Sequence, residues 1–281
     1  MSAVFIISTD AKYASRRNEE YPVTQVATVN YHVHKPERQA FELDAGGIEG
    51  NLISPELAPT EVKVFDERAV GVATTFEDAS VAFTDFPTKV QSYADDTNWR
   101  DTYDAELTKL LQDELNAKEV IIFDHTLRVD DPDAVRKPAR NVHSDYSVDG
   151  AHRRLIDLVG SEKAAEWRDG HFAFINVWRP VGDAINSAPL GFILPESVAE
   201  EDWILLDLIY PDRNGQIMGL AANPDHEWVY MSKMTPDDVV YFNIFDNRGR
   251  PSIAHSALDM VEDLSIQTIR KSIESRTLVR Y

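Results

Sequence analysis

The C-terminal part of this chain is a succession of short β-rich segments, which limits the possible fold more than any other feature. The segments are rich in β-branched and aromatic residues, and turn sequences such as PDRNG, NPDH, TPDD and NRGRP separate several of them. No long helix lies between them, which argues against the βαβ units of a parallel sheet. The pattern favours a mainly β antiparallel sandwich or jelly roll. The segments are HFAFINVWRP (171–180), PLGFILP (189–195), WILLDLIYP (203–211), QIMGLAA (216–222), EWVYMS (227–232), VVYFNIFD (239–246), SIAHSAL (252–258) and SIESRTLVRY (272–281).

Helical signals are few. DTYDAELTKLLQDELNA (101–117) places apolar residues on one stripe and acids in its first turn, which predicts a helix that covers an outer sheet face. The strand EVIIFDHTL (119–127) follows, and SEKAAEWRDG (161–170) is typical of a short helix capped by Ser161 and closed by Gly170. The stripe of the first helix consists of Tyr103, Leu107, Leu110, Leu111 and Leu115.

The simplest organisation is a single domain over residues 1–281. Its jelly-roll core would consist mostly of residues 119–281, with the helix at 101–117 and N-terminal strands and loops packed on it. Residues 22–100 indicate short strands and polar turns, such as DAGGIEGN (44–51), but no particular role.

Composition excludes several classes of protein. The formal charge of −20 argues against a nucleic-acid partner, because phosphates attract surfaces rich in lysine and arginine, and an acidic surface mainly serves solubility. The absence of cysteine excludes disulfides, thiolate metal sites and cysteine nucleophiles. The opening MSAVFIISTD does not have the form of a signal peptide, and no segment reaches the roughly 18 apolar residues of a membrane helix. We therefore expect a cytoplasmic protein with no membrane or nucleic-acid partner, and the sequence indicates no oligomeric state.

A histidine and an aspartate stand one residue apart in RNVHSDYS, as His143 and Asp145. Composition alone gives about 1.4 His-x-acid triplets in such a chain, so the triplet proves nothing by itself. In an extended segment, however, side chains at i and i+2 leave the same face. His255, in SIAHSAL, offers a third ligand. Two imidazoles and one carboxylate on one face of a metal, with the other positions open, suit Fe(II) and oxygen chemistry.

Such an iron site needs a co-substrate that supplies electrons. If that co-substrate is a dicarboxylate such as 2-oxoglutarate, its keto-acid end chelates the metal and its far carboxylate needs a cation on a nearby strand. Arg270, with the Ser272 hydroxyl two positions later, offers a guanidinium fork and one more donor. Arg276, near the last strand, is the competing candidate.

The sequence also resembles a known family over several segments, in order. The segments VIIFDHTLR, RKPARNVHSDYSVDGAHRRL, FINVWRP, DLIYPDRNG, NPDHEWVYMSKMTPDDVVYFNIFD, AHSAL and RKSIESRTLVRY are similar to the AsaB/CmcJ-like hydroxylase/desaturase group of Fe(II)/2-oxoglutarate-dependent oxygenases. The resemblance runs from about residue 103 to the end and more loosely back to about residue 22. It implies a double-stranded β-helix (jelly-roll, cupin-like) core. It also implies hydroxylation or desaturation of an unactivated carbon in a small natural-product-type substrate, with O2 consumed and 2-oxoglutarate decarboxylated to succinate.

The resemblance implies roles for individual residues. His143, Asp145 and His255 match the iron ligands of the family. The Arg-x-Ser pattern matches Arg270 and Ser272 to the far carboxylate of 2-oxoglutarate.

The chain departs from the family pattern at one place. Relatives tend to have a proline directly before the second histidine, where this chain has Ala254, and its proline comes earlier, at Pro251. A backbone shift at this point would affect the placement of the second histidine. The retained Asp145 resembles hydroxylating members rather than halogenating ones, in which a small residue opens a halide site.

Four further residues are candidates for the substrate pocket. Tyr146 and Arg153 lie near the metal pair in the chain, whereas Asn176 and Trp178 share a strand face. Ordinary core packing is the alternative for Trp178.

The remaining histidines of interest are interpreted as structural. His125 is expected to be a hydrogen-bonded residue of a buried strand. His152 and His226 are expected at the surface or beside the metal ligands.

Two other functions fit the same residues. A metal-dependent isomerase or hydrolase on the same barrel would use a bound water instead of oxygen and would not need Arg270. A non-catalytic barrel whose acidic surface docks a partner would keep its function after His143 and Asp145 are changed to alanine, and it would carry no stoichiometric iron. Release of succinate from 2-oxoglutarate distinguishes the oxygenase from the first alternative.

Overall fold

A computed structural model describes residues 24–43, 48, 50–71, 74–94 and 97–281. The signal-peptide prediction for residues 1–10 and much of the turn at 44–51 lie outside the described residues. None of the helices within these ranges is long and apolar enough to cross a bilayer. The helices are α1 (Phe76–Ala79), α2 (Trp99–Leu115) and α3 (Val148–Asp169), with two short 3-10 helices at Pro195–Ser197 and Glu200–Asp202. The strands are β1 (Thr24–His32), β2 (Arg38–Glu42), β3 (Leu52–Ile53), β4 (Leu57–Asp66), β5 (Val81–Asp85), β6 (Glu119–Val129), β7 (His143–Ser144), β8 (Phe172–Pro180), β9 (Leu190–Ile193), β10 (Trp203–Ile209), β11 (Asn214–Leu220), β12 (Trp228–Tyr230), β13 (Asp238–Asp246), β14 (Ala254–Ala257) and β15 (Lys271–Arg280).

The strands form two sheets, and all eight predicted C-terminal segments contribute a strand, which confirms the mainly β prediction. The large sheet has ten strands in the order β1-β4-β12-β9-β14-β7-β11-β10-β2-β3, and the small sheet has five in the order β5-β13-β8-β15-β6. Most neighbours are antiparallel. The parallel pairs all involve strands from the first hundred residues: β2 with β10, β2 with β3, and β4 with β12.

The two sheets pack face to face around an apolar core. The ring of Phe192, on β9 of the large sheet, lies 4.9 Å from that of Phe242, on β13 of the small sheet, between centroids. Trp178 on β8 and Val229 on β12 are buried in the same cluster. The inward residues of both sheets therefore form a single layer, as in a jelly roll.

Helix α2 covers the other face of the small sheet. Ala173, Ile175 and Val177 alternate with the inward residues of β8 and pack in one cluster with the apolar stripe of α2. All nine residues of β8 are buried because the strand has an apolar layer on each face. The helix lies two residues earlier at each end than predicted, and all five residues of the predicted stripe are buried.

Helix α3 is longer than the sequence predicts. The prediction started the helix at Ser161, but it begins directly after Ser147, whose Oγ accepts a hydrogen bond from Gly150 N–H at 3.0 Å. At Gly160 the backbone leaves helical geometry with a φ of 78°, which favours glycine, and this kink separates the predicted part from the missed part. The helix ends before Gly170, as predicted, but in extended rather than left-handed backbone.

Strands from the first hundred residues complete the edges of both sheets. β1 and β4 extend the large sheet beyond β12, β2 and β3 extend it beyond β10, and β5 is the last strand of the small sheet, beside β13. The region to which the sequence assigned no role thus supplies both ends of the sheet that holds the candidate site.

Candidate metal centre and its two cavities

Two histidines stand opposite each other in the large sheet. Strand β7 consists only of His143 and Ser144, and it lies between β14 and β11. His143 pairs directly with His255 on β14. Directly opposed residues of neighbouring strands share a face, and here the ring centroids are 4.6 Å apart.

Asp145 completes a group of three possible metal ligands. Its Oδ1 lies 3.5 Å from Nε2 of His143. One ligand atom from each of His143, Asp145 and His255 lies within 4.8 Å of the other two. Ligand bonds to nitrogen and oxygen are about 2 Å long, so two ligands of one ion lie at most about 4 Å apart, and the spacing here is close to that limit.

Backbone hydrogen bonds determine which imidazole nitrogen can bind a metal. Nδ1 of His143 lies 2.8 Å from the carbonyl oxygen of Asn141, and Nδ1 of His255 lies 3.4 Å from that of Ile253. A carbonyl oxygen only accepts, so each Nδ1 carries the proton and each Nε2 presents a lone pair. This arrangement is typical of histidines that bind a metal through Nε2.

The three side chains carry the charges that a divalent cation requires. Burial, together with the nearby His143, lowers the pKa of His255 to about 4, so its imidazole is neutral at neutral pH. Burial opposes the charge of Asp145, but the Arg276 guanidinium and His143 outweigh it and hold the pKa of this carboxyl well below its usual range. Two neutral imidazoles and one carboxylate form the donor set of Fe(II) oxygenase sites.

The small sheet positions Asp145 from the opposite side. Asn176 Nδ2 and Arg276 Nε both donate to Asp145 Oδ2, at 2.9 and 3.0 Å. These donors are direct partners on β8 and β15. One oxygen of the carboxylate is thereby held by the small sheet, while the other lies beside His143.

Arg276 contacts two further carboxylates. Its Nη1 lies 2.6 Å from Asp124 Oδ2, and its Nη2 lies 2.6 Å from Glu274 Oε1, the latter an ion pair without hydrogen-bond alignment. Burial opposes the charge of Arg276, but Glu274, Asp145 and Asp124 raise its pKa above the ordinary value. The competing candidate for the far carboxylate of 2-oxoglutarate is therefore already engaged with three acidic side chains.

Arg270 is buried without an acidic partner. It is 4% exposed, and it donates from Nη1 to Ser272 Oγ at 2.8 Å and from Nε to the Ala188 carbonyl oxygen at 3.2 Å. Its guanidinium lies 5.3 Å from the ring centre of Trp178. No acidic side chain in the described ranges forms an ion pair with it, and burial, together with the charge of Arg128, lowers its pKa to about 9.

Arg270 shares a narrow cleft with the two histidines. His143, His255 and Arg270 all line it, with Trp178 forming part of its wall. Glu274 also lines the cleft but forms no ion pair with Arg270, so an incoming carboxylate would give this buried guanidinium a direct acidic partner. The cleft, of about 10 Å³, therefore places a buried guanidinium beside the two histidines.

A larger cavity of about 570 Å³ opens at Asp145. Asp145 and Arg276 line this cavity, whereas the two histidines line the narrow cleft. The candidate metal centre thus borders two spaces. Their sizes suit different molecules, because the larger one falls within the range of ligand pockets.

The predicted pocket residues lie in three different places. Tyr146 and Arg153 line the large cavity. Trp178 lines the narrow cleft beside Arg270. Asn176 is buried, lines neither space, and holds Asp145 instead.

Sequence reasoning missed Glu274 and four of the six arginines of the large cavity, namely Arg128, Arg136, Arg154 and Arg213. Glu274 follows Ser272 at i+2 on β15 and precedes Arg276 by the same spacing, so the period of two could have placed all three on the inward face. Arg128 and Arg213 stand in segments that carry the family resemblance, but no local signal directs either side chain to the cavity.

The three histidines interpreted as structural, His125, His152 and His226, are not part of the ligand group. His125 is hydrogen-bonded at both ring nitrogens, in agreement with its structural interpretation. His152 packs against phenylalanine rings. His226 is not at the surface or beside the ligands, so that expectation is wrong: it is hydrogen-bonded to Tyr31 and Asp202, where burial lowers its pKa.

Comparison with known proteins relates the whole chain to oxidoreductases. A family profile described as "Oxidoreductase/YMDC permease-like domain" matches residues 12–280. The hydroxylase/desaturase efuI of Hormonema carpetanum is 30% identical over 222 residues, covering 68% of this chain and 74% of the relative. The hydroxylase/desaturase CTB9 of Cercospora beticola is 27% identical over 292 residues, covering 93% and 89%.

Solved structures agree with the fold. One structure of the iron and alpha-ketoglutarate-dependent endoperoxidase NvfI aligns with a TM-score of 0.80 and 20% identity, covering 92% of this chain and 98% of that chain. A second structure of the same enzyme gives a TM-score of 0.79 at 21% identity, with the same coverage. This likeness confirms the double-stranded β-helix predicted from the sequence.

Proposed function

Because the chain belongs to the oxidoreductase family of these hydroxylase/desaturases, as its motifs indicated, we propose that it is an Fe(II)/2-oxoglutarate-dependent oxygenase. The reaction would be hydroxylation or desaturation of an unactivated carbon in a small molecule of the natural-product type. The observation that carries the proposal is a group of two histidines and one aspartate, whose two histidines line one cleft together with a buried arginine that forms no ion pair with any described residue.

His143, Asp145 and His255 would hold the iron through two Nε2 atoms and one carboxylate oxygen. Bound Fe(II) would supply the activation of O2, coupled to oxidative decarboxylation of 2-oxoglutarate to succinate. The protein contributes the orientation of the ligands: carbonyl oxygens hold the imidazoles, and Asn176 and Arg276 hold the carboxylate. Such fixed geometry leaves the remaining coordination positions for the two co-substrates.

Arg270 and Ser272 would bind the far carboxylate of 2-oxoglutarate. The Ser272 hydroxyl fixes the guanidinium from one side, and the Trp178 ring supports it at 5.3 Å. A planar guanidinium binds a carboxylate through two parallel hydrogen bonds, which gives both charge and direction. Arg276 is the weaker candidate, because its donors already face Asp124, Asp145 and Glu274.

The non-oxidative alternative fits the narrow cleft less well. A metal-dependent isomerase or hydrolase needs the three ligands but has no use for a buried arginine beside them. A non-catalytic binding barrel needs neither the three ligands nor the buried arginine. Hydroxylation and desaturation begin with the same removal of a hydrogen atom, so the proposal covers both.

Turnover of 2-oxoglutarate tests this proposal without knowledge of the substrate. Purified protein is supplied with Fe(II), ascorbate, 2-oxoglutarate and O2, and succinate is measured by mass spectrometry. We expect slow, iron-dependent succinate release that disappears in His143→Ala. Absence of succinate, with and without candidate substrates, would favour the non-oxidative alternative.

A small-molecule substrate follows from the family, and we further propose a cytoplasmic location without nucleic-acid or membrane partners. The net charge of −20 supports the first exclusion, and the absence of cysteine suits a reducing compartment.

A further inference from the structure

We infer that the substrate of this site carries an anionic group, such as a carboxylate, which the arginines of the large cavity bind. The inference rests on the proposed function, since it assigns the substrate to the cavity beside the metal ligands. It names a chemical class: a mainly apolar molecule with one negative charge.

The charge of the large cavity is opposite to that of the chain. The whole sequence has 28 basic and 48 acidic residues, yet the cavity is lined by six arginines and only three aspartates. Two of these aspartates, Asp124 and Asp145, are ion-paired with Arg276. The cavity therefore keeps an excess of positive charge in a protein that is otherwise strongly negative, and such local fields concentrate ligands of the opposite sign.

Several of the cavity arginines are held by neutral groups rather than by acids. Arg153 Nη2 donates to the Gln216 side-chain oxygen at 2.8 Å. The Arg154 guanidinium lies 4.8 Å from the ring centre of Phe123, and that of Arg213 lies 4.4 Å from the ring centre of its neighbour Tyr210. These contacts orient the guanidinium groups but leave their charge uncompensated.

No acidic residue in the described ranges forms an ion pair with Arg136, Arg153, Arg154 or Arg213. Asp157 is the one remaining acid of the lining. Guanidinium groups gathered without acidic partners are a common means of recognising carboxylate, sulfate or phosphate groups.

The lining also has an apolar and aromatic part, beside the polar residues Thr126, Asn214 and Gln216. Leu43, Phe123, Leu208, Tyr210 and Ile217 face the same space. A volume of about 570 Å³ accommodates a molecule of the size of a small natural product. An apolar body and a single acidic group would therefore satisfy both parts of the cavity.

The co-substrate 2-oxoglutarate is a second anion, and it would bind at a different site from the substrate. 2-Oxoglutarate would lie in the narrow cleft at Arg270, which is not part of the large cavity. An experiment must nevertheless distinguish arginines that bind the substrate from arginines that attract 2-oxoglutarate.

A matched pair of fluorescent probes tests the inference. 1-Anilinonaphthalene-8-sulfonate and N-phenyl-1-naphthylamine share one aromatic skeleton, and only the first carries a negative charge. Each is titrated into the full chain, with and without Mn(II) and saturating 2-oxoglutarate. We expect one site per chain that binds the sulfonate at least about tenfold more tightly than the neutral probe, in line with the strength of charge-assisted hydrogen bonds. Equal affinities would overturn the inference.

Arginine variants locate the site. Because Arg153 and Arg213 are exposed at the cavity, each change to glutamine should weaken sulfonate binding about fivefold. The double variant Arg153→Gln/Arg213→Gln should lose about twentyfold, whereas binding of the neutral probe should not change. Lysine at both positions should restore part of the affinity, since it keeps the charge.

Arg168→Gln is the matched control, since Arg168 is an exposed arginine at the far end of α3 that does not line the cavity. An equal loss in this variant would show that sulfonate binding depends only on the net charge of the protein, and it would overturn the inference. Displacement of the sulfonate by 2-oxoglutarate would assign the arginines to the co-substrate and also overturn it. The probe titration does not depend on succinate release, so failure of the proposed function is recognised separately.

Discussion

Two arginines six residues apart, Arg270 directly before β15 and Arg276 within it, have surroundings that differ in every respect that matters for function. Arg276 pairs with Asp124, Asp145 and Glu274, and its pKa is raised. Arg270 contacts a hydroxyl, a carbonyl oxygen and an indole ring, and its pKa is lowered to about 9. Their partners therefore distinguish an arginine that holds a ligand in place from one that is available to an incoming anion.

Removal of a metal ligand should have the largest effect. His143→Ala or Asp145→Ala leaves two of the three ligand atoms, so iron binding and succinate release should both fall to background. Bound iron is measured by emission spectroscopy and succinate by mass spectrometry. His34→Ala, at an exposed histidine outside the site, should retain both, and iron retained by the ligand variants would refute the metal assignment.

Arg276→Gln should produce the largest loss of stability. It leaves the largely buried Asp145 and Glu274, and the exposed Asp124, without their common counter-ion, and breaking a largely buried ion pair in this way costs up to about 3–5 kcal/mol. Urea unfolding of the metal-free protein measures the free energy of unfolding. Arg280→Gln, on the same strand as Arg276, breaks a largely exposed pair with Glu166 of α3 and should cost no more than about 1 kcal/mol. Similar losses of unfolding free energy in the two variants would show that the ion pairs of Arg276 stabilise the protein no more than an exposed pair does.

Arg270→Gln should act on 2-oxoglutarate and not on stability. Loss of a charge-assisted pair should raise the KM for 2-oxoglutarate roughly 10- to 100-fold. The free energy of unfolding should stay the same or increase, because the variant removes a buried charge that has no acidic partner. Succinate kinetics and urea unfolding check the two parts. A loss of stability as large as that of Arg276→Gln would show that the two arginines do not differ.

Ser272→Ala should have the smallest effect. The Ser272 hydroxyl accepts from Arg270 at 2.8 Å, so its removal should weaken binding of 2-oxoglutarate only about fivefold, the value of one hydrogen bond. Calorimetric titration of the Mn(II)-loaded protein with 2-oxoglutarate measures this. Ser275→Ala is the matched control, because Ser275 lies on the opposite face of the strand and contacts His125. Equal losses in both variants would contradict a specific role for Ser272.

Local sequence signals predicted a large part of this molecule. Alternation and turn chemistry located all eight C-terminal strands, and the apolar stripe located α2 to within two residues. The spacing of His143 and Asp145 predicted that they share a face, since that relation depends only on the strand period. The single-domain organisation stays a prediction.

The sequence could not show which strands pair with each other, or in which register. The direct opposition of His143 and His255 depends on strand register, which no local signal specifies. The period of two makes Arg270 and Arg276 equivalent, and only the folded chain brings Asp124 and Asp145 to one of them. The first half of α3 was not predicted, because the kink at Gly160 interrupts the helical pattern of the segment.

The two-residue length of β7 has a consequence for how the protein acquires its metal. So short a strand cannot persist alone, and its place is defined by β11 on one side and β14 on the other, both of which arrive much later during synthesis. A nascent or partly opened chain thus has no complete set of ligands. Iron would be captured only once the barrel has closed, which spares immature chains from redox-active iron held in an unfinished site.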